Sequence, residues 1–215
     1  MLKTLGGGLC AGVLISIGGT VFLSCDNKYV GAVLFSVALV CICLKGYYLF
    51  TGKIGYMTES HKRSDILNLI TGLFGNALAC ILCALLIKIT IPAVSVSAEV
   101  LCRGKLENQT VIATFIRAVF CGVLMYLAVS IFRDAKTPIG ILFCVPVFII
   151  SGFEHSIADI FYFSVSSEFL SRSVLFIITV IFGNSVGGVL LPFISLLGNH
   201  NERKNSQKNI IKRKP

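Results

Sequence analysis

Glu154, His155 and Asp159 fall within a turn and a half in Ser151-Gly152-Phe153-Glu154-His155-Ser156-Ile157-Ala158-Asp159. An imidazole among carboxylates suits acid–base chemistry, metal ligation, or the binding and protonation of a small anion. The setting narrows this choice. The stretch interrupts one long apolar run, with Ile139–Ile150 before it and Ile157–Phe163 after it. An ionisable group at membrane depth is costly unless it faces protein or water, so the stretch is a candidate functional site. Gly152 beside the charged groups reads as the break of a discontinuous helix lining a cavity. No second cluster of His or carboxylates occurs in another apolar segment to complete a metal site, and no Cys/His spacing fits zinc. No cofactor or metal is therefore expected.

The rest of the chain must hold this site inside a bilayer. Hydrophobic residues make up 55% and charged residues 13%, against roughly 25% charged in soluble domains. Six apolar segments approach the ~20 residues a spanning helix needs: 8–24, 30–50, 66–90, 111–132, 138–163 and 174–197. The first has no convincing cleavage site and is read as a retained helix. With six spans both termini share a side. That side collects Lys3, Lys53, Lys62, Arg63, Arg133, Lys136, Arg203, Lys204, Lys208, Lys212, Arg213 and Lys214, against Lys28, Lys88, Arg103, Lys105 and Arg172 on the other. The asymmetry predicts cytoplasmic termini in a multi-pass plasma-membrane protein. The basic tail 201–215 is short and has no aromatic residue, so lipid headgroups fit it better than nucleic acid. His61 and His200 are expected in solvated loop and tail. Seven of nine cysteines lie in apolar spans as small hydrophobes, which leaves Cys25 and Cys102 open to a disulfide.

The chain also repeats itself. Gly12-Val13-Leu14 recurs as Gly122-Val123-Leu124 at an offset of 110, Gly75-Asn76 as Gly183-Asn184 at 108, and the Gly46 break as the Gly152 break at 106. Each half, about 8–90 and 111–198 of a single channel domain 1–200, has three spans. The second must then enter the membrane from the opposite face, an inverted repeat whose broken spans 2 and 5 meet near the midplane. The span 2 break, Leu44-Lys45-Gly46-Tyr47-Tyr48-Leu49-Phe50-Thr51-Gly52-Lys53, carries two glycines and two lysines. Lys45 suits a protein- or water-lined setting. Gly8 with Gly12 and Gly183 with Gly187 are spaced for close helix packing.

Ser151–Ala158, Leu49-Phe50-Thr51, Gly183-Asn184-Ser185-Val186-Gly187-Gly188 and Ala11–Ile17 resemble, in order, motifs of the formate/nitrite transporter family. The resemblance implies an all-α, six-helix, aquaporin-like protomer in a homopentamer. Each protomer would carry its own pore for a small monovalent anion such as formate, nitrite or hydrosulfide. It implies His155, Thr51 and Asn184 at the centre of the pore and Phe35, Leu39, Leu49, Phe50 and Phe148 as constrictions. Lys105 corresponds to an outer anion-attracting lysine, and Lys45 is a second candidate for drawing anions. The chain departs from the family pattern at Asp159, where Asn is usual, at Tyr126, and at Tyr47-Tyr48. Only Met1-Leu2-Lys3 precede the first span, so gating by an N-terminal helix is not expected.

Apolar constrictions resist a bare ion far more than a neutral acid. An anion sharing or taking a proton beside His155, with Thr51 orienting both, would cross as a neutral species. Glu154 is expected to point away from the pore and pair with polar groups. Two rival readings are a membrane enzyme or metal site built on Glu154, His155 and Asp159, and a neutral-solute pore. The latter lacks its paired Asn-Pro-Ala breaks.

Overall fold

The protein was analysed as a computed structural model, which describes residues 1–59, 62–166 and 171–212, with side chains as far as Leu197. Among these residues the regular structure is helical: α1 (Leu2–Ser24), α2 (Lys28–Lys45), α3 (Phe50–Lys53), a 3-10 turn (Ile54–Thr58), α4 (Arg63–Thr90), α5 (Pro92–Asn108), α6 (Val111–Ala135), α7 (Ile139–Ile150), α8 (Ser156–Val165) and α9 (Ser171–Lys212). Five of them, α1, α2, α4, α6 and α9 up to Leu197, are long and apolar enough to cross a membrane. His61 lies outside the described residues, as do the side chains of His200 and of the tail 201–215.

Local chemistry sets the boundaries. Asn27 starts α2 by accepting hydrogen bonds from the Tyr29 and Val30 N–H groups at 3.0 and 3.3 Å. Gly46 ends it in the left-handed region, at φ 67°, a conformation a Cβ penalises. Gly152, at φ 68°, turns the chain in the same way after α7. The segments expected as spans 2 and 5 are thus each two helices with a non-helical link, 46–49 and 151–155. At 12 and 10 residues, α7 and α8 are each too short to cross a bilayer alone.

α5 lies where the sequence suggests only a connection. Pro92 occupies its first turn, where the missing N–H costs nothing. It buries Val94, Ala98 and Cys102 and packs against α8. Cys25 and Cys102 are free thiols, so the disulfide left open above is absent. Cys102 is fully buried in α5 rather than facing an exposed loop.

The tightest pairings are α1 with α4 and α6 with α9, and small residues permit both. A Cβ on Gly187 would overlap the Val119 carbonyl oxygen, and one on Gly8 would meet the Gly72 carbonyl oxygen at 2.9 Å. Overpacking of this kind costs up to ~3 kcal/mol, a shift of roughly 6–12 °C for a chain of this size. Gly187→Ala is expected to lower the melting midpoint in detergent by that amount. Gly104→Ala, whose nearest neighbour would be Asn108 Nδ2 at 3.9 Å, is expected to leave it unchanged.

Candidate functional site

The two links converge on one hydrogen bond. Thr51 Oγ1, at the start of α3, lies 2.8 Å from His155 Nε2. They are 1% and 3% exposed. His155 also caps α8: its Nδ1 accepts the Ala158 N–H at 3.2 Å. A ring nitrogen that accepts a backbone N–H carries no proton, so the neutral ring holds its hydrogen on Nε2 and donates it to Thr51. The Thr51 hydroxyl keeps its own proton for another acceptor. Phe148 stacks on the imidazole at 5.6 Å between centroids and 17° between planes.

Each link is held by one asparagine. Asn184, on α9, accepts the Ser156 N–H at 2.9 Å and donates to the Ala118 and Glu154 carbonyls at 2.9 and 2.8 Å. Asn76, on α4, accepts the Phe50 N–H at 2.9 Å and donates to the Gly8 and Tyr48 carbonyls at 2.8 and 2.9 Å. Both side chains are fully buried. The two partner sets differ by 106 residues for Phe50/Ser156 and Tyr48/Glu154, by 108 for the asparagines and by 110 for Gly8/Ala118. These are the three offsets of the sequence repeat.

Two cavities flank the centre and share no lining residue. The first, about 210 Å³, is lined by Leu39, Tyr47, Leu49, Lys53, Tyr56, Arg133 and Lys136. The second, about 90 Å³, is lined by Phe35, Phe148, Lys105, His155, Asp159 and Tyr162 among others. Phe35 and Leu39 are one turn apart on α2, so about 6 Å of helix separates the two. Phe35, Leu39, Leu49, Phe50 and Phe148 are 2–5% exposed. Leu39 and Leu49 line the first cavity, Phe35 and Phe148 the second, and Phe50 precedes Thr51 at the start of α3.

Lys105 belongs to the second cavity. Its ammonium touches Glu154 Oε2 and lies 3.0 Å from Asp159 Oδ1. Glu154 Oε1 accepts from Gln109 Nε2 at 2.7 Å. The Glu154 side chain thus pairs with polar groups from α5 and its C-terminal link. Lys45 lines neither cavity and is exposed in the last turn of α2, where the helix C-terminus favours a cation. The first cavity takes its positive charge from Lys53, Arg133 and Lys136 instead. Arg133 lies 4.2 Å from the Tyr56 ring centroid and pairs with Glu59 at 3.0 Å. Burial pushes the Tyr56 phenol up to about 12, against the pull of Arg133, so it stays protonated near neutrality.

Asn76, Gln109 and this basic set are what the sequence reading missed. Asn76 carried a signal, as the partner of Asn184 in the repeat. Lys53, Arg133 and Lys136 were counted on the side of the termini, without being assigned to one cavity wall. If they concentrate anions, Lys53→Gln with Lys136→Gln slows anion entry at low ionic strength. The deficit vanishes near 1 M salt, where screening falls to about 3 Å. Liposome flux measured across a salt series checks this, and a salt-independent deficit would mean a steric role.

A family model described as formate/nitrite transporter matches residues 1–197. The uncharacterised transporter YwcJ of Bacillus subtilis (strain 168) is 31% identical over 197 residues, covering 80% of this chain and 77% of its own length. Among solved structures, an FNT family ion channel matches with a TM-score of 0.73 at 22% identity, covering 88% of this chain and 85% of that one. A pentameric formate channel with formate bound matches with a TM-score of 0.76 at 22% identity, covering 93% and 97%.

Proposed function

Since this chain belongs to the formate/nitrite transporter family, we propose that each protomer conducts a small monovalent anion (formate, nitrite or hydrosulfide) between the two cavities, past His155. Membership of a family of transporters sets the membrane-enzyme reading aside. The observation that carries the proposal is the buried Thr51–His155 pair between two cavities, each of which has a cation in its wall.

In this reading α2–α3 and α7–α8 are broken spans 2 and 5 of a six-span inverted repeat. The matching asparagine clamps at matching offsets support it. The Lys53 cavity then opens to the cytoplasm; the Lys and Arg excess supports cytoplasmic termini in a plasma-membrane protein. A homopentamer is supported by likeness to a channel described as pentameric. Large exposed apolar side chains such as Phe74, Phe143 and Phe182, each at least 60% exposed, suit lipid and neighbouring subunits.

The passage works by trading hydration for a few directed donors. An anion entering from the Lys105 cavity loses water at Phe35 and Phe148. The neutral His155 offers its Nε2 hydrogen, and Thr51, freed of that bond, offers its hydroxyl. A proton that joins the anion here lets it cross Leu39, Leu49 and Phe50 uncharged, which avoids the desolvation cost of a bare ion. His155 takes up a proton itself only by surrendering the Ala158 N–H at Nδ1. It therefore acts first as a fixed hydrogen-bond donor.

Purified protein in liposomes, tested with formate, nitrite, hydrosulfide, acetate, lactate and glycerol, decides the substrate. Flux of one or more of the small anions, with acetate and lactate slower and glycerol excluded, is the expected result. Glycerol permeation without anion flux would replace this reading with a neutral-solute pore.

A further inference from the structure

Lys105 meets two carboxylates, and they are unequally satisfied. Their side chains are 13% (Lys105), 2% (Glu154) and 1% (Asp159) exposed. Glu154 has a donor at each oxygen, Lys105 and Gln109. The orientation of the Gln109 amide is fixed because its Oε1 accepts from Thr114 Oγ1 at 3.2 Å. Asp159 has one donor, Lys105, 3.0 Å from Oδ1, with the Glu154 carboxylate as a close neighbour, and its Oδ2 is buried with no hydrogen-bond partner among the described residues. Asp159 also lines the Lys105 cavity.

One ammonium between two ionised carboxylates leaves a surplus negative charge, buried and in the wall of an anion path. Such a charge is strongly unfavourable. The neighbours do not relieve it. The titratable groups within electrostatic reach of Asp159 are Cys102 on α5, Cys121 on α6 and Tyr162 on its own helix, and none of them is a cation. Cys80 on α4 reaches the Ile157 carbonyl at 3.6 Å. His155 is neutral because its Nδ1 accepts the Ala158 N–H as the α8 cap, α1 contributes the Phe22 ring to the same cavity, and α9 contributes the Phe176 ring beside Lys105. A proton on Oδ2 cancels the surplus charge and gives that oxygen a hydrogen to donate to whatever enters the cavity.

We propose that Asp159 rests as a neutral carboxylic acid in the wall of the Lys105 cavity and hands its proton to the arriving anion. This rests on the transport reading above and adds the source of the travelling proton. The Asp159 O–H bond breaks as an O–H bond forms on formate or nitrite, or an S–H bond on hydrosulfide. The carboxylate left behind is held by Lys105. Hydronium from the adjoining water returns the proton, and one proton crosses with each anion.

The test uses the full chain in liposomes. Labelled formate uptake and internal acidification are recorded together for wild type, Asp159→Asn and Asp159→Glu. Wild type is expected to carry about one proton per formate, and the amide variant to lose about tenfold or more of that ratio and to flatten the pH profile. The Glu variant should keep both. An Asp159→Asn protein that moves formate with the wild-type ratio and pH profile overturns the role of Asp159 and leaves the transport reading intact. Wild type that moves no anion overturns both. If the amide variant does not assemble, infrared spectroscopy of wild type carrying carboxyl-labelled aspartate decides. Asp26 and Asp134 are exposed and Asp65 is half-buried, so a protonated-carboxyl band at neutral pH belongs to Asp159, and its absence refutes the proposal.

Discussion

Asn184→Ala is expected to lose its stable fold in detergent, and Asn76→Ala to do the same. Each asparagine satisfies three backbone groups where a helix is interrupted, and α8 cannot start without its Ser156 N–H being met. The Asn184 side chain is fully buried, so solvent does not replace the amide. Hydrogen bonds between membrane helices average about 0.6 kcal/mol and reach about 1.7. Three of them then give roughly 2–5 kcal/mol, a large part of the ~5–15 kcal/mol that holds a domain together. Asn184→Asp should be worse than Ala. Its carboxylate can accept from Ser156 but would face the Ala118 and Glu154 carbonyls as a second acceptor. Fluorescence-detected gel filtration after a heating series checks all three variants. A wild-type melting midpoint in Asn184→Ala would show that the clamp is incidental to the fold.

The clamps explain why so much of this chain was legible and where legibility stopped. Apolar length located the long helices, because a bilayer demands it of every span. The two glycines at φ 67° and 68° located the interruptions, because a left-handed residue between apolar runs has few other uses. The repeat offsets of 106, 108 and 110 recur between the partner sets of the two asparagines, although the sequence reading assigned those partners to neither. What α5 does was not legible. It carries little apolar signal, and its importance comes from Lys105 meeting Glu154 and Asp159, residues about 50 positions away. Gln109 was hidden for the same reason. Lys45 was singled out because it lies inside an apolar run, yet it ends one residue before the break and turns outward. Lys53 ends α3 while Arg133 and Lys136 lie at the end of α6 and just past it, and only folding brings them to one cavity. Spacing along the chain reports on elements and their internal symmetry. It does not report on which charges from distant loops will share a wall.

The variant His155→Asn separates the two tasks of this ring. Asparagine is a strong helix N-cap, so it can take over the Ala158 N–H that Nδ1 now accepts, and the assembly should survive. It cannot reach Thr51 as the imidazole does, and it puts no ring against Phe148. On the proposed path the anion therefore loses a donor between the two cavities. A hydrogen bond to a charged group is worth about 1.5–3 kcal/mol, and each 1.4 kcal/mol is a factor of ten. Anion flux should fall roughly ten- to a hundredfold at every pH. Thr51→Val, which keeps shape but removes the hydroxyl, should lower flux in the same direction, while Thr51→Ser should retain most of it. Because the two groups act on one anion, the double variant His155→Asn/Thr51→Val should lose less than the two single losses combined. Flux measured across a pH series in liposomes gives all four values. Full additivity would mean that the two side chains act at separate steps. Wild-type flux at every pH in the His155→Asn protein would leave the imidazole with only its cap.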